Sequence, residues 1–206
     1  MISLQLFGRN MKLKLLNESI DIKNNKQRLL LTSNGFENPR MGRFFLNKIQ
    51  IIPFNIKLIF YDTAAIDKES KDILEKCYEE LFDLGIRKEN ILTITDMNTN
   101  IDLSIFDCLY MAGGDENYLI NTINSTGFRY KLLNAIQKGL LYIGVSAGTC
   151  ICSNYVKNNL GFISNVVDVH CEKDIAKTGI INYSDQINLS VNQAVWIEGD
   201  HKEVIE

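Results

Sequence analysis

Short continuous apolar runs alternate with helical patterns through the middle of the chain, and that alternation predicts the fold. Leu29-Leu30-Leu31 runs into Thr32-Ser33-Asn34-Gly35, as a buried strand discharging into a loop does. Residues 57–61 (KLIFY), 90–95 (NILTIT), 107–112 (DCLYMA) and 140–145 (LLYIGV) repeat that form. Between them, residues 67–84 place Ile73, Leu74, Cys77, Tyr78, Leu81, Phe82 and Leu84 at three- and four-residue spacing, with Gly85 where a C-cap belongs. Residues 43–51 and 129–137 are weaker helices of the same kind, the second stopped by Gly139. Strands alternating with helices imply βαβ units and a mostly parallel sheet covered on both faces.

After about residue 155 the rhythm changes. Residues 166–169, 180–183, 194–197 and 203–205 read as strands with little helix between them, and Glu198-Gly199-Asp200 as a hairpin turn. A β-rich C-terminal part is therefore expected. Residues 1–26 are an N-terminal extension in which polar residues interrupt short apolar pieces. Extra strands, a hairpin or a poorly ordered extension all fit it. No linker or repeat divides residues 27–206, which are expected to form one domain.

Composition narrows the function classes. Twenty-two basic and 25 acidic residues among 206 give a net charge of −3, which argues against a dedicated nucleic-acid or anionic-lipid surface. No run reaches the roughly 18 apolar residues of a membrane span, and the first ten residues lack the form of a signal peptide. A soluble, cytoplasmic protein is expected. Five cysteines (Cys77, Cys108, Cys150, Cys152, Cys171) follow no framework spacing and read as reduced, mostly packed thiols. Only two histidines occur, His170 and His201, which puts a multi-histidine metal site almost out of reach.

The chemistry centres on Gly144-Val145-Ser146-Ala147-Gly148, directly after an apolar strand. G-x-S-x-G in that position is a nucleophile elbow: the strand turns sharply into a helix and leaves the serine exposed in a strained conformation. Amides at the start of the helix can then hold a developing oxyanion. A serine needs a general base. His170, at the end of Val166-Val167-Asp168-Val169, is the candidate, whereas His201 sits in a charged turn and reads as solvated. Gly113-Gly114 follows another strand and can supply a second oxyanion donor. Cys150, one turn beyond Ser146, reads as packing.

Taken in order, LLLTSNGF, MAGGDENYL, GVSAG, LGFISNVVDVH and NQAVWIEGD resemble the dipeptidase E-like serine peptidases, the aspartyl dipeptidase and cyanophycinase relatives. The resemblance runs from about residue 29 to 205. It implies a layered αβα domain with a mostly parallel sheet, like that of class I glutamine amidotransferases (flavodoxin-like), and a triad ordered Ser, His, acid. Ser146 then matches the nucleophile, His170 the base, and Gly114 and Ala147 the oxyanion donors.

Three departures stand out. Asp115 replaces the family's usual Asn, Val169-His170-Cys171 replaces Pro-His-Tyr, and residues 189–194 (LSVNQA) offer no carboxylate. Asn192 is the expected orienter of the imidazole, with Asp168, Glu172 and Asp185 as substitutes. No arginine follows His170 to bind an aspartyl carboxylate; Lys173 and Lys177 are the available cations.

The expected function is serine-type hydrolysis of short peptides without metal or organic cofactor. The expected partner is a short peptide, with no nucleic acid or membrane partner and a homodimer left open. The alternative is a catalytically weak or inactive member that binds a small molecule or peptide. An amidotransferase-type hydrolase is a weaker third, since that sub-fold normally has cysteine at the elbow.

Overall fold

The computed structural model describes residues 27–173, 175, 176, 179–182 and 185–206. The expected extension at 1–26, and Lys177 and Tyr183, lie outside them.

The first five apolar runs form β1 (Arg28–Thr32), β2 (Leu58–Tyr61), β3 (Ile91–Ile94), β4 (Cys108–Met111) and β5 (Leu141–Val145). They pair in parallel in the order β3-β2-β4-β5-β1. Among the described residues, β6 (Val167–Asp168), β7 (Gly179–Ile180), β8 (Ile187–Asn188), β9 (Ala194–Glu198) and β10 (His201–Ile205) follow. The strand-rich C-terminal part is mostly not a separate layer: β9, β10 and β7 add antiparallel strands beyond β1. The β6–β8 pair stands apart as a two-stranded parallel sheet. Of its strands, β6 is shorter than the sequence pattern suggests, and no pattern in the sequence predicts β8.

Period-two alternation sends successive side chains to opposite faces. Leu29, Leu31, Ile59, Tyr61, Leu109 and Met111 pack on one side with helices α3 (Glu116–Ser125) and α4 (Phe128–Gln137). Leu30, Leu58, Phe60 and Tyr110 pack on the other with α1 (Pro39–Ile49) and α2 (Lys68–Asp83). The result is the expected αβα layering.

Local chemistry sets the helix ends. Asn38 caps α1 by accepting from the Arg40 N–H (3.0 Å), and Pro39 takes the first helical position, so α1 starts four residues before the apolar pattern does. Asp67 caps α2 through the Ser70 N–H (2.7 Å). At the other end, Gly85 N–H reaches Phe82 O and Ile86 N–H reaches Leu81 O, a Schellman closure that explains the glycine. Ile73 and Phe82, assigned to the buried face from spacing, are instead 47% and 39% exposed, because the sheet covers only the Cys77–Leu81 stripe of α2. The GGDEN start of helix α3 reads as a turn in the sequence, and the structure continues it into a helix that Asp115 caps through the Tyr118 N–H (2.8 Å).

No helix among the described residues is long and apolar enough to cross a membrane. The shared direction of β1, β2, β4 and β5 brings their carboxyl ends to one rim, where Thr32 stands opposite Val145 and Met111 opposite Gly144. Ligands of open parallel sheets bind beyond such ends.

Candidate active site

Strand β5 is buried along its length between β4 and β1. At its end Ser146 adopts φ 49° and ψ −110°, a positive φ that a side-chain-bearing residue rarely holds. The surroundings impose it. The Ser146 N–H donates to Thr32 O (3.2 Å), while Ser146 O receives the N–H groups of Thr149 and Cys150 (2.8 and 3.0 Å). Those bonds start the short helix α5 (Ala147–Cys150). The flanking glycines allow the turn. A Cβ on Gly144 would stand 2.6 Å from Gly148 O, and one on Gly148 only 2.3 Å from Met111 O.

His170 arrives from the strand-rich C-terminal part. It lies two residues beyond β6, and Cys171 N–H bonds to Leu189 O (2.9 Å) to hold the segment. Its Nε2 is 2.9 Å from Ser146 Oγ. Its Nδ1 is 3.4 Å from Ser33 Oγ, and its backbone N–H donates to that same oxygen (2.8 Å). The elbow serine and the scarce histidine, 24 residues apart in sequence, thus come into hydrogen-bond contact.

Gly113 and Gly114 close the third side. A Cβ on Gly113 would lie 3.1 Å from Ser146 Cβ, so this loop runs directly against Ser146. Gly114 has φ +136°, and a Cβ there would sit 2.1 Å from Ala64 O; no other residue type fits. The amides of Gly114 and Ala147 have no backbone partner among the described residues.

Partial burial pushes the His170 imidazole below its ordinary pKa, and the negative charge of Asp168 opposes that shift. The ring is therefore neutral near pH 7, the form that can take a proton. Cys150 is 4% exposed and burial pushes its thiol up to about 12, so it carries no thiolate.

Asn192 requires a correction. It is exposed in the turn before β9, where its carbonyl accepts from Asn38 Nδ2 (3.1 Å), and the imidazole nitrogens meet Ser33 and Ser146 instead. The side chain that meets Nδ1 is Ser33, which pattern reading passed over. Asp185 caps the Asn182 N–H instead (3.0 Å), and Glu172 is exposed. Asp168 acts on His170 by charge and makes no hydrogen bond to it. Lys173 lines a separate pocket with Arg40 and Asn192, and His201 lies on β10 beside Glu203 (3.4 Å).

A cleft of about 220 Å³ opens from Ser146 and His170. Ile73, Leu74 and Cys77 of α2 line it, and Asp67 and Glu69 stand at its rim. Its described lining residues include no lysine or arginine.

The model of peptidase family S51 matches residues 29–166 of this chain. Peptidase E of Streptomyces coelicolor (strain ATCC BAA-471 / A3(2) / M145) is 29% identical over 126 residues, 59% of this chain. The match covers 49% of that relative, so the chain spans about half the length of the curated protein it matches. A crystal structure from Listeria monocytogenes EGD-e, provisionally assigned as Peptidase E, superimposes with a TM-score of 0.66 at 22% identity, covering 87% of this chain and 98% of the other. A peptidase from an acI-B1 Actinobacterium gives 0.62 at 17% identity, covering 89% of each. At such identities the structures show a common fold.

Proposed function

Because the chain belongs to peptidase family S51, we propose that it hydrolyses short peptides by acyl transfer to Ser146. The observation that carries this reading is the 2.9 Å contact between the strained Ser146 Oγ and His170 Nε2. Ser146 Oγ attacks the scissile carbonyl carbon as Nε2 takes its proton. The C=O π electrons move to oxygen, and the Gly114 and Ala147 N–H groups receive that oxyanion. His170 gives the proton to the leaving amine as the C–N bond breaks, leaving an ester on Ser146. A water deprotonated by His170 then releases the acid and restores the serine.

The cleft bears on the substrate. Its apolar wall and acidic rim suit a peptide whose residue in that cleft is uncharged or cationic, and aspartate there would meet Asp67 and Glu69 without a described cation to receive it. A dipeptide panel is therefore expected to show Asp-Leu cut no faster than Ala-Leu.

A second reading, a binding protein that keeps the pocket, has one observation in its favour: among the described residues, no carboxylate hydrogen-bonds His170 Nδ1. A fluorophosphonate probe separates the two. Labelling at Ser146 that disappears in His170→Ala supports the hydrolase; wild-type protein that takes no label supports the binder.

The shift of His170 also sets a pH profile. Activity requires the neutral imidazole, so kcat/KM is retained above the folded pKa and falls as pH drops through it. The acid limb is expected below about 6.5, the ordinary histidine value. Asp168→Asn removes a charge that favours the imidazolium, so its limb should move lower still. A limb unmoved by Asp168→Asn would show that another group controls it.

A further inference from the structure

We propose that Ser33 is the positioning residue for His170, holding the imidazole with a hydroxyl where a serine hydrolase usually has a carboxylate. The inference rests on His170 acting as the base for Ser146.

Ser33 is the first residue beyond β1 and is completely buried. Its N–H donates to Gln193 O (3.1 Å), which ties it to the start of β9. Its Oγ therefore has a fixed address. It receives the His170 backbone N–H at 2.8 Å and stands 3.4 Å from Nδ1. One atom thus restrains both the main chain and the ring of the base, and His170 holds φ 58° under that restraint.

The chemistry of a hydroxyl differs from that of a carboxylate. It offers two lone pairs and one proton, whereas an ionised carboxylate only accepts. The His170 N–H occupies one lone pair. If the other accepts Nδ1–H, the Nε2 lone pair faces Ser146 and the base is competent. If the Ser33 hydroxyl donates to Nδ1, the ring proton lies on Nε2 and points at Ser146, and the base is idle. A carboxylate forbids the second arrangement; Ser33 permits both.

The charged groups near the ring do not choose between them. Asp168 approaches from β6 without a hydrogen bond, and Asp67 and Glu69 stand across the cleft at the start of α2. The neutral imidazole therefore divides between two tautomers, and no carboxylate among the described residues is hydrogen-bonded to its cation.

The test compares Ser33→Ala, Ser33→Thr and Ser33→Asp by kcat, KM, pH profile and melting. Ser33→Ala is expected to lower kcat about 10- to 100-fold with little change in KM, and Ser33→Thr to restore most of it. Ser33→Asp should raise the acid limb and fix the proton on Nδ1. The tautomer can be read by ¹⁵N NMR of labelled histidine, because the chain has only two histidines to assign. Wild type is expected to show both ring nitrogens at averaged shifts, and Ser33→Asp a protonated Nδ1. Where the aspartate variant does not fold, the alanine and threonine pair decides. A folded Ser33→Ala with wild-type kcat, acid limb and labelling rate, alongside a His170→Ala that has lost labelling, overturns the role of Ser33 and leaves the hydrolase reading standing. Wild-type protein that never labels overturns both.

Discussion

Ser146→Ala is expected to lower kcat/KM for peptide hydrolysis by about 10⁴- to 10⁶-fold, the range seen when a triad serine is removed. The loss should fall on kcat, because the Ser146 hydroxyl bonds covalently only along the reaction path. The fold should survive, since the elbow is held by main-chain bonds that alanine keeps: N–H to Thr32 O, and O to Thr149 and Cys150 N–H. Ser146→Gly sharpens the test. Glycine holds φ 49° without the penalty that serine carries, so this variant should be equally inactive yet more stable by about 1 kcal/mol. Paired urea titrations would show it as a higher midpoint at unchanged slope. A Ser146→Ala protein that retains more than a tenth of wild-type kcat would remove serine from the mechanism.

Gly148→Ala is expected to carry a large structural effect. The added methyl would lie 2.3 Å from Met111 O and 3.1 Å from Met111 Cβ, so β4 and α5 must part. Neither gives easily, because β4 is fully buried and Gly148 O already accepts from Tyr142 OH (2.7 Å). A cost of about 3 kcal/mol, the upper part of the overpacking range, should lower Tm by about 6–12 °C. Moving the start of α5 also moves the Ala147 amide, so kcat should fall even in the protein that remains folded. A Gly148→Ala variant with wild-type Tm would mean that the glycine serves something other than this close approach.

How legible each part was in sequence depends on how local its causes are. The elbow was readable because the strand, both glycines and the serine lie within residues 141–148. Helix α2 was readable because its cap and its closing glycine are written into it, whereas its buried stripe was not, since the width of the stripe depends on the sheet it meets. Ser33 was invisible for the opposite reason: its contact with His170 spans 137 residues. Asn192 is the sequence neighbour of Gln193, whose carbonyl receives the Ser33 N–H (3.1 Å). β1 and β9 pair Thr32 with Ala194, so Gln193 falls opposite Ser33 and Asn192 passes beyond the sheet into the turn. No periodicity distinguishes those two neighbours.

The shared rim of the parallel strands also bears on when the protein becomes active. Ser33, Gly114, Ser146 and His170 belong to four segments, and the contact between the first and last closes a long loop whose entropy is recovered only after β1, β5 and β9 have paired. Native-like secondary structure can form well before that. In a refolding experiment, therefore, reactivity of Ser146 toward a phosphonate should lag the far-ultraviolet signal, making the nucleophile its own reporter of completed folding. A half-made chain, lacking β9 and the His170 segment, would carry Ser146 without His170, and under the proposed mechanism should leave a phosphonate unreacted.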